Sequence, residues 1–173
     1  MPDSLAPPAA CRVVLDSNVW IDILVFDDPA TRPIRAALER GTLVALIDAR
    51  CLYELERVLD YPQFRARAVD KAAALATVAR LARPVDPRPG GDVAPALPKC
   101  KDRDDQKFLE LAHAAQAEWL VSKDRALLKL ARRTARDFGF RIAEPAPFAA
   151  AACASADAAD TTTPASTPAS TPA

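Results

Sequence analysis

Apolar runs of strand length alternate with stretches of helical periodicity along the chain. The first run, at residues 13–15, holds three consecutive aliphatic side chains, as is typical of a parallel strand covered on both faces. It stops at Asp16 and leads directly into a helix that we expect to reach about Phe26, with Ser17 or Asn18 suited to cap it. Asp16 therefore stands at the carboxyl end of a strand, where open α/β sheets bind their ligands.

The same alternation continues through the first half of the chain. Apolar residues at helical spacing predict a second, short helix that ends at Gly41, and residues 43–47 form a second run of strand length. Asp48 is suited to cap a third helix over residues 49–60. The Ala-rich segment 65–83 predicts a further helix with a packing role.

A proline-rich segment separates the two halves of the chain. Residues 84–98 contain five prolines and two glycines, so we expect a loop there. Beyond it, we expect a helix that opens at residues 102–105 and a short strand at residues 119–121. We then expect a helix with Leu127 on its apolar side and a last strand at residues 138–142. This alternation predicts an α/β fold with a mostly parallel sheet.

The composition narrows the class of protein. The chain has 173 residues, 50% hydrophobic and 27% charged, as expected for one globular domain. Its formal net charge is zero, so affinity for nucleic acid must come from the local placement of Lys and Arg. Four widely spaced cysteines without a CxxC pair, and a single histidine, argue against a zinc site or a disulfide framework. The sequence pattern contains neither a secretory signal nor a membrane span, so we expect a cytoplasmic protein.

The two ends differ in composition from the middle. We expect residues 1–11 to be a flexible leader and residues 12–148 to be the folded domain. Residues 149–173 are almost entirely Ala, Ser, Thr and Pro, a composition that buries too little apolar surface to fold, so we expect a disordered tail.

Acidic residues stand where strands end or helices begin. Asp16 follows the first strand, Asp105 lies at the start of the helix after the proline-rich segment, and Asp124 follows the strand at 119–121, where it is equally suited to cap a helix. A glutamate on the third helix completes a pocket of four carboxylates. Like charges raise one another's pKa, so such a pocket calls for a hard divalent cation such as Mg²⁺. Hydrolysis of a phosphodiester is the reaction that this kind of site suits.

Helical geometry alone leaves some of these acids undecided. Glu54 and Glu56 lie at equal angles from the apolar stripe of the third helix, and Asp104 and Asp105 are equally close to the apolar face of theirs. Asp102, three residues before Asp105, is also typical of a helix N-cap with a variant capping box. These alternatives stay open on the residues alone.

Four motifs, in this order, resemble the PIN domain family. They are VVLDSNVWI at residues 13–21, LYEL at 52–55, KDRDDQKFLELA at 101–112 and WLVSKD at 119–124, within a likeness that spans about residues 12–148. The resemblance implies a Rossmann-like three-layer α/β/α sandwich around a central, mostly parallel sheet. It also implies a nuclease that depends on Mg²⁺ or Mn²⁺. Many such domains are ribonuclease toxins of bacterial toxin–antitoxin pairs.

The resemblance also assigns roles to residues. The catalytic acids, which are also the expected metal ligands, become Asp16, Glu54 (rather than Glu56), Asp105 and Asp124. The supporting residues become Asn18, Ser122 and Asp102. Nearby basic residues are candidates to contact an RNA backbone: Lys99, Lys101, Arg103, Lys107, Lys123 and Arg125. In one branch of the family the third and fourth motifs commonly read Asp-Pro-Asp-Asp and Thr-Gly-Asp, where this chain has Asp-Arg-Asp-Asp and Ser-Lys-Asp.

The function expected from the sequence is therefore that of a divalent-metal-dependent endoribonuclease, and of the toxin of a toxin–antitoxin pair. The expected partners are an RNA substrate, an antitoxin protein and a second copy of the chain, with no membrane. One alternative is a PIN-like module that has lost catalysis and binds a protein. Another is a phosphotransferase of the haloacid dehalogenase type, although its second aspartate would fall at Asn18, which cannot transfer a proton.

Overall fold

Short parallel strands form the centre of the structure, a computed structural model that describes residues 9–86 and 96–154. Within these residues the strands are β1 (Cys11–Leu15), β2 (Leu43–Ile47), β3 (Ala82–Pro84), β4 (Trp119–Val121) and β5 (Arg141–Ala143). They lie in the order β3-β2-β1-β4-β5, and every neighbouring pair is parallel. The chain thus builds the sheet outward from β1 in one direction and then in the other. This change of direction creates a crevice between the carboxyl ends of β1 and β4, as in other open α/β sheets.

Helices cover both faces of the sheet and complete a three-layer α/β/α sandwich, which confirms the expected fold class. In the described residues they are α1 (Ser17–Ile21), α2 (Arg32–Arg40), α3 (Ala49–Leu59), α4 (Pro62–Arg65), α5 (Lys71–Leu81), α6 (Gln106–Ala114), α7 (Arg125–Leu128), α8 (Ala131–Asp137) and α9 (Pro145–Phe148). A π-helical turn follows α1 at Asp22–Phe26, and another follows α9 at Ala149–Cys153. None of the described helices combines the length and the apolar character needed to cross a membrane.

The core is densest around β1, as its aliphatic run predicts. Val13, Val14 and Leu15 are at most 2% exposed, so the strand is covered on both faces. Val14 pairs in register with Leu46 of β2 and with Leu120 of β4. Burial of these neighbouring aliphatic side chains fixes the position of β1, and hence of the residue that follows it, to the centre of the sheet.

The helix predicted over residues 65–83 is shorter in the structure, and both of its predicted ends are wrong. The helix in this segment, α5, starts at Lys71 after a turn and ends at Leu81, and Ala82–Pro84 form β3. The three residues pair with β2, where Ala82 lies opposite Ala45. Backbone pairing with β2 outweighs the helix propensity of alanine here. A proline is tolerated because β3 is at the edge of the sheet.

Other boundaries also differ from the sequence predictions. Residues 102–105 form turns, and α6 begins only at Gln106. The last strand starts at Arg141 rather than at residue 138. Cys11 belongs to β1 rather than to a leader, and Ala149–Cys153 are helical, with both end residues buried, rather than part of a disordered tail. The rest of the predicted leader and tail, at residues 1–8 and 155–173, lies outside the described residues, as do residues 87–95 of the predicted loop.

Asp48 caps α3, as predicted, and it also binds the helix's second residue. Its Oδ1 accepts a hydrogen bond from the Cys51 N–H at 2.8 Å, and its buried Oδ2 accepts two from the Arg50 guanidinium at 3.1 and 2.9 Å. We expect Asp48→Ala to lower the free energy of unfolding by about 1–2 kcal/mol, because the helix loses its cap and Arg50 loses a partner. Asp48→Asn, which keeps the cap oxygen, should lose less. Urea denaturation measures both, and an unchanged Asp48→Ala protein would contradict the prediction.

Candidate active site

Asp16 lies where β1 ends, and its carboxylate is held from two sides. Its backbone N–H donates to the Val121 carbonyl at 3.0 Å and so extends the pairing of β1 with β4 by one residue. Its Oδ1 caps α1 by accepting from the Asn18 N–H at 3.3 Å, and its Oδ2 accepts from the Ser122 hydroxyl at 2.6 Å. The side chain is 3% exposed. Asp16 is thus an oriented, buried carboxylate at the crevice.

Ser122 connects Asp16 to the acid that follows β4. The Ser122 oxygen that donates to Asp16 also accepts from the Asp124 N–H at 3.0 Å. Asp124 in turn caps α7, since its Oδ1 accepts from the Ala126 N–H. The capping interpretation of Asp124 is therefore correct, and it does not remove the residue from the crevice. One fully buried hydroxyl sets the spacing between the acids of two neighbouring strands.

Asp105 approaches the same place from the start of α6. It occupies the N-cap position of that helix, but its side chain makes no capping hydrogen bond. Burial raises the pKa of Asp105 to about 7, and a hydrogen bond with Asp124 and the negative charges of Asp16, Asp124 and Asp102 add to the shift. Asp105 is therefore partly buried and lies within electrostatic range of Asp16 and Asp124.

The pKa of Asp16 is raised as well. Burial raises the pKa of Asp16 above its ordinary value, and the charges of Glu54 and Asp124 add to this, while the hydrogen bonds from Ser122 and Asn18 act in the opposite direction. The four predicted acids therefore interact electrostatically, although they are far apart in the sequence.

Glu54 faces this cluster, and its two neighbours explain why. Its Oε1 accepts from the Ser17 hydroxyl of α1 at 2.7 Å, and its Oε2 forms an ion pair with Lys107 of α6. Lys107 also donates to the Asp104 carbonyl. These contacts resolve the alternative that helical geometry left open, because Glu54 rather than Glu56 points toward α1 and α6.

Ser17 and Lys107 have roles that the sequence does not predict. Ser17 is suited by its position to cap α1, but Asp16 caps that helix, and the hydroxyl of Ser17, which is 5% exposed, donates to Glu54. Lys107, a candidate RNA contact in the sequence, forms an ion pair with Glu54. Both roles depend on how α1, α3 and α6 pack together, which the residue spacing does not reveal.

Two clefts open beside the acids. One has a volume of about 580 Å³, and its lining includes Asn18, Glu54 and Asp105 together with aromatic and basic side chains of α3 and the turn after it. The other has a volume of about 850 Å³ and is lined by more basic than acidic residues: Arg50, Lys99, Arg103 and Lys107 against Asp104 and Glu110. Arg50, Asp104 and Lys107 line both clefts, so the two clefts lie side by side.

The remaining predicted residues differ in their polar partners and in their exposure to solvent. Asp102 accepts a hydrogen bond from the Asp104 N–H at 2.9 Å, so it stabilises the turn before α6, and the prediction that it caps the helix is wrong. The ammonium of Lys123 lies 2.5 Å from the carboxylate of Asp22, which is buried, so Lys123 has a structural partner. Lys101, Arg103 and Arg125 are exposed.

The donor set has the chemistry of a site for a hard divalent cation. Among the residues that the structure describes, no three Asp, Glu, His or Cys side chains are arranged closely enough to ligate one ion as they stand. The four acids nevertheless offer only carboxylate oxygens, which are the ligands that Mg²⁺ and Mn²⁺ prefer. The raised pKa values of Asp16 and Asp105 come from burial and from like charge, and a dication relieves the latter. The residues present therefore fit such an ion.

The raised pKa of Asp105 predicts a pH-dependent stability of the metal-free protein. Because the pKa is about 7 in the folded state and near 3.8 ordinarily, the folded state binds more protons, and stability falls as the pH rises between these values. Asp105→Asn removes this loss. In EDTA we expect the variant to melt a few degrees above wild type at pH 8, with a gap that shrinks toward pH 4. Thermal melts at several pH values measure it, and a gap independent of pH would contradict the prediction.

Comparison with known proteins agrees with this geometry. A family model described as the PIN domain matches residues 12–126, a segment that contains all four acids. No curated protein sequence matches the chain. PIN domains are generally nucleases, that is, hydrolases of phosphodiester bonds. With a match over most of its length and a parallel sheet between helices, the chain belongs to the PIN domain family.

Proposed function

We propose that this chain is an endoribonuclease that depends on Mg²⁺ or Mn²⁺ and uses Asp16, Glu54, Asp105 and Asp124 as its metal ligands. The observation that supports this most strongly is that the charge of Asp16 interacts with those of Glu54, Asp105 and Asp124, and these four acids come from separate elements of the fold. Burial raises the pKa of Asp105 to about 7, and the neighbouring acids add to the shift. Four neighbouring acids, of which only Glu54 has a cationic partner among the described residues, are unfavourable for stability alone, since like charges repel one another.

Hydrogen bonds from neighbouring residues hold two of the four acids, Asp16 and Glu54, in position. Ser122 and the Asn18 N–H fix Asp16, and Ser17 fixes Glu54, so these carboxylates have little freedom to turn away. Such support from neighbouring groups is what keeps metal ligands in position. When bound, Mg²⁺ or Mn²⁺ supplies activation of water and neutralisation of charge at the phosphate.

Basic residues beside the acids are candidates to contact the phosphates of the RNA backbone. Lys99 and Arg103 line the larger cleft, and Lys107 lies between the two clefts next to Glu54. Since the whole chain has no net charge, this local cluster is what can attract phosphates. Lys101 and Arg125, which are exposed, are further candidates. Lys123 is a weaker candidate because it pairs with the buried Asp22.

The biological role that we propose is that of a toxin controlled by an antitoxin protein, and it rests on the sequence resemblance alone. A second copy of the chain is a further proposed partner. Of the alternatives, a catalytically silent binding module is disfavoured because all four acids of the family's motifs are present. A phosphotransferase of the haloacid dehalogenase type is disfavoured because the second acid it needs would be Asn18.

Glu54 and Glu56 provide a matched pair of variants for the proposed activity. We expect Glu54→Gln to reduce cleavage of labelled RNA in Mg²⁺ or Mn²⁺ by roughly 100-fold or more, because a proposed metal ligand is lost. Glu56→Gln, on the same helix and with the same change of charge, should cut like wild type. Initial rates of cleavage measure both variants, and equal rates for the two would contradict the assignment.

Thermal stability tests the metal site without any substrate. A ligand that binds only the folded state at ten times its Kd stabilises it by about 1.4 kcal/mol, so Mg²⁺ or Mn²⁺ should raise the Tm of wild type by a few degrees. Asp16→Asn should show a smaller rise, while being no less stable than wild type in EDTA because a buried charge is removed. Equal metal-induced shifts in the two proteins would show that Asp16 does not belong to the site.

A further inference from the structure

Exposed aromatic side chains gather beside the acids. In the described residues the large apolar side chains with the greatest exposure are Tyr53 at 62%, Phe26 at 45% and Tyr61 at 43%. Tyr53 and Tyr61 line the same cleft of about 580 Å³ as Glu54 and Asp105. Tyr53 is on α3, immediately before Glu54, and Tyr61 is at the start of α4. The core does not need either ring, yet both are on the wall of the candidate active site.

The same wall carries positive charge. Arg57, one helical turn after Tyr53, places its guanidinium 5.9 Å from the centre of the Tyr53 ring. Arg50 and Arg57 line the cleft together with Lys107. Asp48 and Glu110 hold the Arg50 guanidinium, so it is oriented rather than free to move. Aromatic rings among cations are the combination with which proteins bind single-stranded nucleic acid, the rings stacking on bases and the cations contacting phosphates.

We propose that Tyr53 and Tyr61 form a stacking platform that holds unpaired bases of the RNA where the strand enters the site. This inference rests on the proposed function, because it assigns to two residues of that same cleft the task of holding the bases of the substrate. In duplex RNA the faces of the bases are covered by their neighbours, whereas unpaired bases present a face that an aromatic ring can cover. Arg57 adds a second planar surface beside Tyr53 and a charge for the adjoining phosphate.

Equilibrium binding tests the platform separately from cleavage. The probe is a fluorescently labelled RNA of about ten unpaired nucleotides, a length within the usual span of single-strand sites, and its perfectly paired duplex is the comparison. Fluorescence anisotropy is recorded in EDTA, so that no cleavage takes place. The variants are Tyr53→Leu, Tyr61→Leu and Tyr53→Trp. Phe26→Leu is the matched control, since it removes an exposed aromatic ring that does not line the cleft.

The expected results follow from the strength of stacking on an aromatic ring. Tyr53→Leu and Tyr61→Leu should each weaken binding of the single strand by about 5- to 100-fold and leave binding of the duplex unchanged. Tyr53→Trp should retain the affinity, and RNA should quench the fluorescence of its new, exposed indole. Phe26→Leu should bind like wild type. Because Tyr53 and Tyr61 are both exposed, their variants are expected to fold.

Failure of the platform and failure of the nuclease are distinguishable. Unchanged single-strand affinity in both Tyr→Leu variants would overturn the platform and leave the tyrosines as a contact surface for a protein partner. Equal affinity of wild type for single strand and duplex would also overturn it. Tyrosine-dependent binding of single strands without any cleavage in Mg²⁺ or Mn²⁺ would support the platform and reject the nuclease. Cleavage by wild type together with unchanged binding by the variants would support the nuclease and reject the platform.

Discussion

Repulsion among neighbouring carboxylates, one of them buried and the others half-buried, is the constraint on which the candidate active site depends. Parallel pairing of β1 with β4 puts Asp16 and Asp124 at neighbouring strand ends, and α6 adds Asp105. Burial raises the pKa of Asp105, and the charges of Asp16 and Asp124 raise it further, so ionisation of Asp105 is unfavourable in the absence of a cation. A fold selected for stability alone would replace these acids, so their common location is best understood as a functional requirement that the rest of the domain supports.

The surroundings of the acids offset this repulsion by different means. A buried hydroxyl, that of Ser122, donates to Asp16 and accepts from the Asp124 backbone, so it stabilises one carboxylate and spaces the two strand ends. Glu54 instead has a cation, Lys107, as its partner. The first arrangement keeps a carboxylate in place without changing its charge, while the second neutralises it. The site therefore combines one acid held by neutral donors with one held by both a hydroxyl and a cation.

Much of the fold could be predicted from the sequence, because the decisive signals are local. The aliphatic runs of β1 and β2 and the cap at Asp48 depend on adjacent residues, whereas the cap of α1 is Asp16 rather than the predicted Ser17 or Asn18. β3 could not be predicted, since its three residues have no strand pattern and are extended only because β2 lies beside them. The roles of Ser17 and Lys107, and the choice of Glu54 over Glu56 from geometry, likewise depend on how separate helices pack. Resemblance to a family supplied that choice where periodicity could not.

The two outer strands of the sheet, β3 and β5, have only three residues each. An edge strand has unpaired backbone groups that can recruit a strand from another molecule, and such recruitment starts aggregation. β3 ends in Pro84, which has no N–H to donate, next to the exposed Arg83, and β5 begins at the exposed Arg141. Brevity, proline and positive charge are the usual protections of a sheet edge. The short edge strands β3 and β5 thus protect this apolar parallel sheet from pairing with a strand of another molecule.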